Sequence, residues 1–518
     1  MIINIDIETR SASDLTVEGG YKYARDETTE ILCYAYQRFE DDGKTEIDTV
    51  PRGWVRESNY VPPHDTDLID AITGGATVRG WNFAEFDLPV WNNEQSLADG
   101  FPKIPIENVE DTMEKSRMMG GPGQLMQAAR FWHAGEKDMV GHKLMMSLCK
   151  PGQDGMFHDV YTKYEGDPGG KYKGILKIER LFMYCKHDVN VEANIGLRMS
   201  YYPIPDFEQS VAVLSHKINE RGFKVDLPLA RRAVAYADKE LSELSRRISD
   251  LTGGIVTKHT QRQRICDWLT SRDIELPNLQ RQTLEDAIAT VHDPIAREVI
   301  DIRLSGAKAS TAKFKAAVQT ACDDDDRIRG TFRYYGAPAT GRWAGGGIQP
   351  HNLPRETADD PYAVLDAIRN KEVPSVYKAL STLLRPLIMA KPGHKLVRCD
   401  FSAIEGRVVA WLAGDKDALK EYAGAGKMYE RSAAVIYGCS PKSVTKAQRQ
   451  IGKVAELALG FGGGWKAFDS MAQNYGVKVP ANEAKLIVKK WRKGRPAVVE
   501  LWAQAEKALR VSYHRGRR

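Results

Sequence analysis

Cysteine is scarce in this 518-residue chain, and its pattern is wrong for cross-linking. Seven cysteines (Cys33, Cys149, Cys185, Cys266, Cys322, Cys399 and Cys439) are odd in number and widely scattered, with no C-x-x-C pair. That argues against a disulfide framework and a structural zinc site, and it suits a reducing compartment. Long apolar runs are also missing: no stretch approaches the ~18 residues that span a bilayer, so no membrane partner is expected. Met1 to Glu8 alternates Ile with polar residues and has neither a basic nor an unbroken apolar region, so no signal peptide is read and a cytoplasmic location is expected. There is no internal repeat and no sizeable low-complexity segment. The Gly345–Gly347 run is not followed by Gly-Lys-Ser/Thr, which excludes a P-loop. What remains is an ordinary globular composition, 42% hydrophobic and 28% charged, with length for about three or four domains.

The net charge of +5 conceals an asymmetry. Residues 1–200 carry 22 Lys+Arg against 33 Asp+Glu, whereas residues 201–518 carry 52 against 36. A basic remainder behind an acidic first domain points to a polyanion partner, although a solvated surface of mixed charge accounts for charge alone equally well.

Residues 1–200 read as α/β, with strands at Ile2–Ile7, Ile31–Tyr36 and Val78–Trp81 and helices near Leu125–Phe131 and Leu181–Leu197. Pro203-Ile204-Pro205 marks a boundary. Beyond it the chain reads as mainly helical to about residue 320, including Val211–Asn219, Ala230–Ile248 and Ile295–Val318. The acidic run Asp323–Asp326 reads as a solvated loop, because four adjacent side chains cannot face one ion. Residues 330–360 read as loop with short strands, Lys395–Phe401 as a strand entering a helix near Ile404, and Thr445 onward as helical with a stop at Gly462–Gly464.

Asp6 and Glu8 alternate with Ile3, Ile5 and Ile7, so on a strand they share one face. Adjacent carboxylates repel, and a divalent cation is the natural compensation; taken alone, Asp-x-Glu is only a polar strand face. Downstream, Gly80-Trp81-Asn82-Phe83-Ala84-Glu85-Phe86-Asp87 puts Asn82 and Asp87 after a strand, and Tyr184-Cys185-Lys186-His187-Asp188 puts a phenol and a carboxylate on one helix face. This ordered set resembles the proofreading 3′→5′ exonucleases of the DEDD class, tyrosine subtype. The resemblance implies that Asp6, Glu8, Asp87 and Asp188 hold two metal ions about 3.5–4 Å apart, with Tyr184 orienting or helping to deprotonate the attacking water. Phe86 is expected to pack beneath the site, and His187 to be a surface histidine. Lys137-Asp138 with Gly141-His142-Lys143-Leu144-Met145 is similar to a stretch of phage-type members, and equally well a helical surface.

A second constellation follows. Thr340-Gly341-Arg342-Trp343 and Gln349-Pro350-His351-Asn352-Leu353-Pro354-Arg355 suit a loop that reads a nucleic-acid backbone, since glycine permits close approach and Arg and Asn offer donors. Asp400-Phe401-Ser402-Ala403-Ile404-Glu405-Gly406-Arg407 comes next. Arg449, Lys453, Leu457 and Phe461 then recur every four residues, one slowly drifting helix stripe of two cations and two apolar groups that suits a nucleoside triphosphate. In this order the segments resemble family A DNA polymerases, of the DNA polymerase I type found in bacteriophage. The resemblance implies that Arg342, Asn352 and Arg355 grip primer–template DNA and that Asp400 binds catalytic metal. Glu405 would sit beneath the incoming sugar, with Arg407 supporting the site. Arg449 and Lys453 would bind the dNTP triphosphate, and Phe461 would pack near the template base. Leu457 replaces the usual aromatic and leaves sugar discrimination open.

The expected architecture is an α/β ribonuclease H-like exonuclease domain at 1–200, a mainly α thumb at 201–335, the first part of an α+β palm at 336–415, and fingers at 416–518. The expected partners are primer–template DNA, single-stranded 3′ ends and dNTPs, with Mg²⁺ as cofactor (two per active site) and Mn²⁺ as a substitute. The family's His-Asp-Glu palm motif does not occur after Phe461, where the only acids are Asp469, Glu483, Glu500 and Glu506. His292-Asp293-Pro294 precedes Asp400, lacks the Glu and reads as a helix start. Residues 462–518 carry 13 Lys+Arg, among them Lys489, Lys490, Arg492, Lys493, Arg495, Arg515, Arg517 and Arg518, a tail fit either to bind DNA or to solubilise. Three explanations stay open: a truncated product, one half of a split polymerase completed by a second polypeptide, or a remnant that only degrades DNA.

Overall fold

Ile2–Arg10 forms β1, the central strand of a five-stranded sheet. The computed structural model describes residues 1–57, 65–306, 311–337, 339–424 and 426–515, with side chains as far as 512, so the basic side chains at Arg515, Arg517 and Arg518 lie outside the described residues. The sheet order is β3-β2-β1-β4-β5, where β2 is Glu30–Phe39, β3 Arg52–Val55, β4 Thr77–Gly80 and β5 Val109–Asp111. β1, β2 and β3 are antiparallel, while β4 runs parallel to β1 and β5 parallel to β4. The register sets Asp6 opposite Ala35 and Glu8 opposite Cys33, with a shift directly after Glu8.

Period-two alternation on β1 decides what covers each face. Ile3, Ile5 and Ile7 enter a core with Leu68, Val78 and Trp91. The opposite face is covered by the helix Lys177–Met199, whose Leu181, Tyr184, Cys185 and Val189 pack with Cys33 and Ala35. Those side chains recur at helical spacing, so this helix has an apolar stripe to bury against the sheet. The expected helices at 125–131 and 181–197 fall within Leu125–Phe131 and Lys177–Met199.

Asp206–Arg221 begins directly after Pro205, and Leu227–Leu251 begins with the Asp226 carboxylate accepting from the Leu229 amide at 3.0 Å. Strands β6 (Phe223–Val225), β7 (Arg327–Ile328), β8 (Phe332–Ala337), β9 (Arg342–Gly345) and β10 (Ile388–Met389) follow. β10-β6-β7 form a small sheet and β8-β9 an antiparallel hairpin. The helix expected over 295–318 is instead two, Pro294–Gly306 and Ala312–Thr320, with 307–310 outside the described residues. Asp293 accepts from the Ile295 and Ala296 amides at 2.8 and 3.1 Å, so His292-Asp293-Pro294 is a helix start. The acidic loop is more than solvated: Asp323 pairs with Lys22 at 3.4 Å, Asp324 with Arg25 at 2.7 Å and Asp326 with Lys224 at 3.3 Å.

The chain divides into two compact units, Met1–Leu396 and Val397–Arg518, so the break falls inside the expected 336–415 segment. The strand expected at Lys395–Phe401 does not form. A strand exists only through its partners, and among the described residues none pairs with this segment, whose side chains are exposed. In the second unit, Ile451, Val454 and Leu459 of Lys446–Leu459 pack with Phe468, Ile487 and Trp491. Arg495, itself buried, ties this bundle by ion pairs to Glu456 at 2.8 Å and Asp415 at 3.0 Å.

Within the first unit, one buried histidine joins the sheet region to Asp206–Arg221. His216 bonds to Glu85 through Nδ1 at 3.0 Å and to Glu114 through Nε2 at 3.1 Å. Burial alone would lower its pKa, but the two carboxylates prevail and hold it well above the ordinary value of 6.5. A histidine raised in this way contributes its full stabilisation below about pH 6.5, and that stabilisation is lost as pH rises through the elevated value. His216→Ala leaves two buried carboxylates without their cation and should cost about 3–5 kcal/mol at pH 6 in urea unfolding. The deficit should shrink by pH 9; an equal deficit at both pH values would contradict a charged His216.

Candidate active site

Four carboxylates meet where β1 faces the helix Lys177–Met199. The ligating atoms of Asp6, Glu8 and Cys185 lie within 4.8 Å of one another. Asp87 enters as the first residue of Asp87–Trp91, after the turn in which Asn82 takes φ 62°. Tyr184 and Asp188 come from one face of Lys177–Met199, one turn apart, as their spacing requires. Burial, then the neighbouring Asp188, pushes Asp6 up to about 7, with Lys137 opposing. Glu8 and Asp87 are raised well above their ordinary values, each by burial first and then by Asp6. Repulsion of this kind calls for a cation.

Lys137 supplies part of it, its Nζ lying 2.8 Å from Asp188 Oδ2. Its position follows from a chain of local contacts. Buried Arg180 bonds to Asp138 at 2.7 Å and Asp167 at 3.1 Å. Asp138 in turn accepts from the Val140 and Gly141 amides at 3.1 and 2.9 Å and starts the helix Met139–Leu148. Gly141 is needed there, since a Cβ would come 2.8 Å from the Tyr184 side chain. The Tyr184 hydroxyl lies 3.4 Å from His142 Nδ1, and burial followed by Glu8 raises its pKa so far that the phenol stays protonated. The stretch 137–145, which sequence also allowed as a bland helical surface, thus forms one wall of the site. Its signal was Arg180, a cation one turn before Tyr184 with no local partner. His187 donates to or accepts from the site nowhere among the described contacts; its Nε2 meets the Glu136 carbonyl oxygen at 2.6 Å. Phe86 packs against Tyr23, with ring centroids 5.6 Å apart, at the edge of the sheet core.

A divalent metal fits these residues. The donors are hard carboxylate oxygens, which Mg²⁺ and Mn²⁺ prefer, and Asp188 Oδ1 is buried without a hydrogen-bond partner among the described residues.

The second constellation is distributed over both units. In the first, Arg342 opens β9, while Asn352 ends the short helix Pro350–Asn352 and is exposed, as is Arg355. In the second, Asp400, Glu405, Lys453, Leu457 and Phe461 line one cavity of about 290 Å³, together with Tyr422, Tyr429 and Glu456, which the sequence did not single out. Glu405 lies in the first turn of the helix Ile404–Leu412. Arg407 donates to the Ser402 carbonyl at 2.8 Å and lies over the Tyr422 ring. Arg449 stands outside the cavity lining, bonded to Glu430 at 2.8 Å. Lys446–Leu459 stops two residues before Phe461, which sits 70% exposed in the following turn. The stripe therefore ends off the helix.

The sequence model describing DNA polymerase family A matches residues 233–514. A DNA polymerase of Bacillus phage SP02 is 32% identical over 98% of this chain and 76% of its own length. DNA polymerase I of Aquifex aeolicus is 28% identical over 24% of this chain and 22% of its own. Among solved structures, the POL domain of Pol1 from M. smegmatis, in complex with DNA primer–template and dNTP, shares the fold with a TM-score of 0.57 at 12% identity, covering 98% of this chain and 75% of that one.

Metal ligands must be deprotonated to bind, so affinity should rise with pH through the Asp6 value of about 7. Thermal melts with millimolar Mn²⁺ should show a metal-induced rise in Tm that is larger at pH 8 than at pH 5.5 and absent in Asp6→Ala. An equal shift in the variant would place the metal elsewhere.

Proposed function

Given that the chain belongs to DNA polymerase family A and is a DNA-directed DNA polymerase, a nucleotidyltransferase, we propose that it also carries a 3′→5′ proofreading exonuclease on Asp6, Glu8, Asp87 and Asp188. The observation that carries this reading is the convergence of these four carboxylates beside Tyr184. The sheet order β3-β2-β1-β4-β5 supports a ribonuclease H-like domain over 1–200. The thumb is assigned to 201–335, the first palm segment to 336–415 and the fingers to 416–518. Single-stranded 3′ ends are the substrate of the first site, and primer–template and dNTPs of the second. Work on DNA in the cytoplasm of a bacterial host fits the phage relative.

When bound, two Mg²⁺ ions activate water and stabilise the leaving oxygen in phosphodiester hydrolysis. The chain's own groups do the rest. Asp6, Glu8, Asp87 and Asp188 would hold the ions, with Lys137 keeping Asp188 oriented. Tyr184 orients or helps to deprotonate the attacking water; without metal, burial and then Glu8 raise its pKa. Its nearest ring partner, His142, has its pKa lowered, chiefly by burial and then by Lys137.

In the polymerase region, Lys453 faces the triphosphate in the cavity that Asp400 borders, with Glu405 beneath the sugar and Phe461 at its mouth. Arg449, Arg407, Arg342, Asn352 and Arg355 complete the set of nucleotide and DNA contacts. The 518 residues hold no His-Asp-Glu after the finger helix. Two-metal transfer needs a second carboxylate beside Asp400, so synthesis by these 518 residues alone should be poor and should recover when that carboxylate is supplied.

A 5′-labelled primer–template with Mg²⁺ tests both parts. The primer should shorten with or without dNTPs, the shortening should vanish in Asp6→Ala, and Tyr184→Phe should slow it about 10²-fold. Shortening that survives Asp6→Ala would end the exonuclease reading. Extension at the rate of complete relatives would end the expectation of an incomplete palm.

A further inference from the structure

The carboxylate cluster of the first unit contains one donor that Mg²⁺ has no use for. Cys185 follows Tyr184 on the helix Lys177–Met199 and is fully buried, packed with Cys33 and Ala35 of β2. Its thiol donates to the Asp6 carbonyl oxygen at 3.3 Å, which fixes the sulfur over β1. That sulfur and the carboxylate oxygens of Asp6 and Glu8 all lie within 4.8 Å of one another. Two ligands of one tetrahedral zinc ion stand about 3.5 Å apart, given bonds of about 2.0–2.3 Å. Small rotations of the two carboxylate side chains would therefore close all three donors on a single ion.

A core cysteine is ordinarily a small apolar filler, but this one is set in a cluster short of positive charge. Lys137 engages Asp188 Oδ2 at 2.8 Å, while Asp188 Oδ1 is buried with no hydrogen-bond partner among the described residues. A cation is called for here whatever its kind, and the donors decide which. Carboxylate oxygen suits Mg²⁺ and Mn²⁺. A sulfur ligand shifts the preference towards thiophilic ions such as Zn²⁺ and Cd²⁺. In the metal-free chain the thiol keeps the proton that it donates to Asp6. A thiophilic ion displaces that proton to solvent on binding, and Mg²⁺ does not. The cluster thus offers Mg²⁺ its oxygens alone, and zinc both oxygen and sulfur.

We propose that Cys185 makes the cluster a second kind of metal site, in which Zn²⁺ or Cd²⁺ is bound by Cys185 Sγ with Asp6 and Glu8 and denies those carboxylates to Mg²⁺. Binding requires only these three donors. The consequence, inhibition by zinc, rests on the exonuclease reading.

The test uses the full chain, stripped of metal and kept reduced, with Co²⁺ as a chromophoric stand-in for zinc. Co²⁺ should give a thiolate-to-cobalt charge-transfer band in the near ultraviolet, and Zn²⁺ should erase it. Cys185→Ala and Cys185→Ser should both lack the band, whereas Cys399→Ala, which removes an exposed thiol, should keep it. Zinc affinity, read by competition, should fall at least about tenfold in both Cys185 variants, the least that even an outer partner of a ligand is worth. Both variants should retain the Mn²⁺-induced rise in Tm, which reports an intact fold and intact carboxylates. With 5′-labelled primer–template and Mg²⁺, the zinc concentration that halves shortening should rise by the same factor in Cys185→Ala. A wild-type chain without the band, or a band that survives in both Cys185 variants, would overturn the proposal. Zinc inhibition unchanged where the band is lost would overturn its inhibitory part. A cobalt band that depends on Cys185, in a chain that shortens no primer with Mg²⁺, would sustain the thiolate site and defeat the exonuclease reading.

Discussion

Burying carboxylates beside one another is the constraint around which the first unit is organised. Asp6, Glu8 and Asp188 each raise the proton affinity of a neighbour, Asp87 is itself raised by Asp6, and Glu8, Asp87 and Asp188 are buried. No packing of apolar groups relieves that cost; only cations and donors do. The structure supplies one cation, Lys137, and spends several contacts fixing it: Arg180 holds Asp138, Asp138 starts a helix, and Gly141 lets that helix close on Tyr184. The same logic recurs a short way off, where Glu85 and Glu114 share His216. The remaining deficit at the cluster itself is the reason a metal belongs there. A core of this polarity would be a poor choice for stability alone, and the metal site proposed here would account for it.

The second unit meets the opposite problem. The nucleotide proposed for its cavity is large and highly charged, and side chains there are accordingly open: Phe461 is 70% and Phe401 80% exposed. Rigidity is moved one layer back. Arg495 with Glu456 and Asp415, and Trp491 donating to Glu456 at 2.8 Å, fix the back of the cavity so that Lys453 and Leu457 project from a settled helix. Lys453 lies over the Tyr475 ring at 4.7 Å, a contact that keeps its charge near the cavity without neutralising it.

What sequence disclosed depends on how local each feature is. Period two on β1 and the one-turn spacing of Tyr184 and Asp188 are properties of single elements, so they were legible and the structure brings these residues together. The stripe from Arg449 to Phe461 was legible only as far as the helix runs; Gly460 and Gly462, with φ of 82° at the latter, turn the chain before the stripe is complete. Lys395–Phe401 has the composition of a strand, but strand formation belongs to a pair and the partner cannot be read from the segment itself. Lys137 reaches Asp188 across 51 positions, and His216 reaches Glu85 across 131. Neither has a local signature beyond a charged residue on a helix or loop. The acidic loop at 323–326 was read as solvated for the same reason, since Lys22 and Arg25 are about 300 residues away.

That difference in locality also separates the two sites of the chain. Every proposed exonuclease ligand lies between residues 6 and 188, on a sheet and a helix that pack directly on each other inside one unit. Such a site assembles whenever that sheet folds, whatever the rest of the chain does. The residues proposed for synthesis lie on a hairpin near residue 342 in the first unit, and on an irregular segment at 400 and a helix at 446–459 in the second. A site assembled from segments so far apart is completed only when all of them are held in register, by this polypeptide or by another. If the proposed exonuclease holds, degradation needs less of the molecule than synthesis does. It follows that losing part of a polymerase of this plan would leave the chain trimming 3′ ends before it left it extending them.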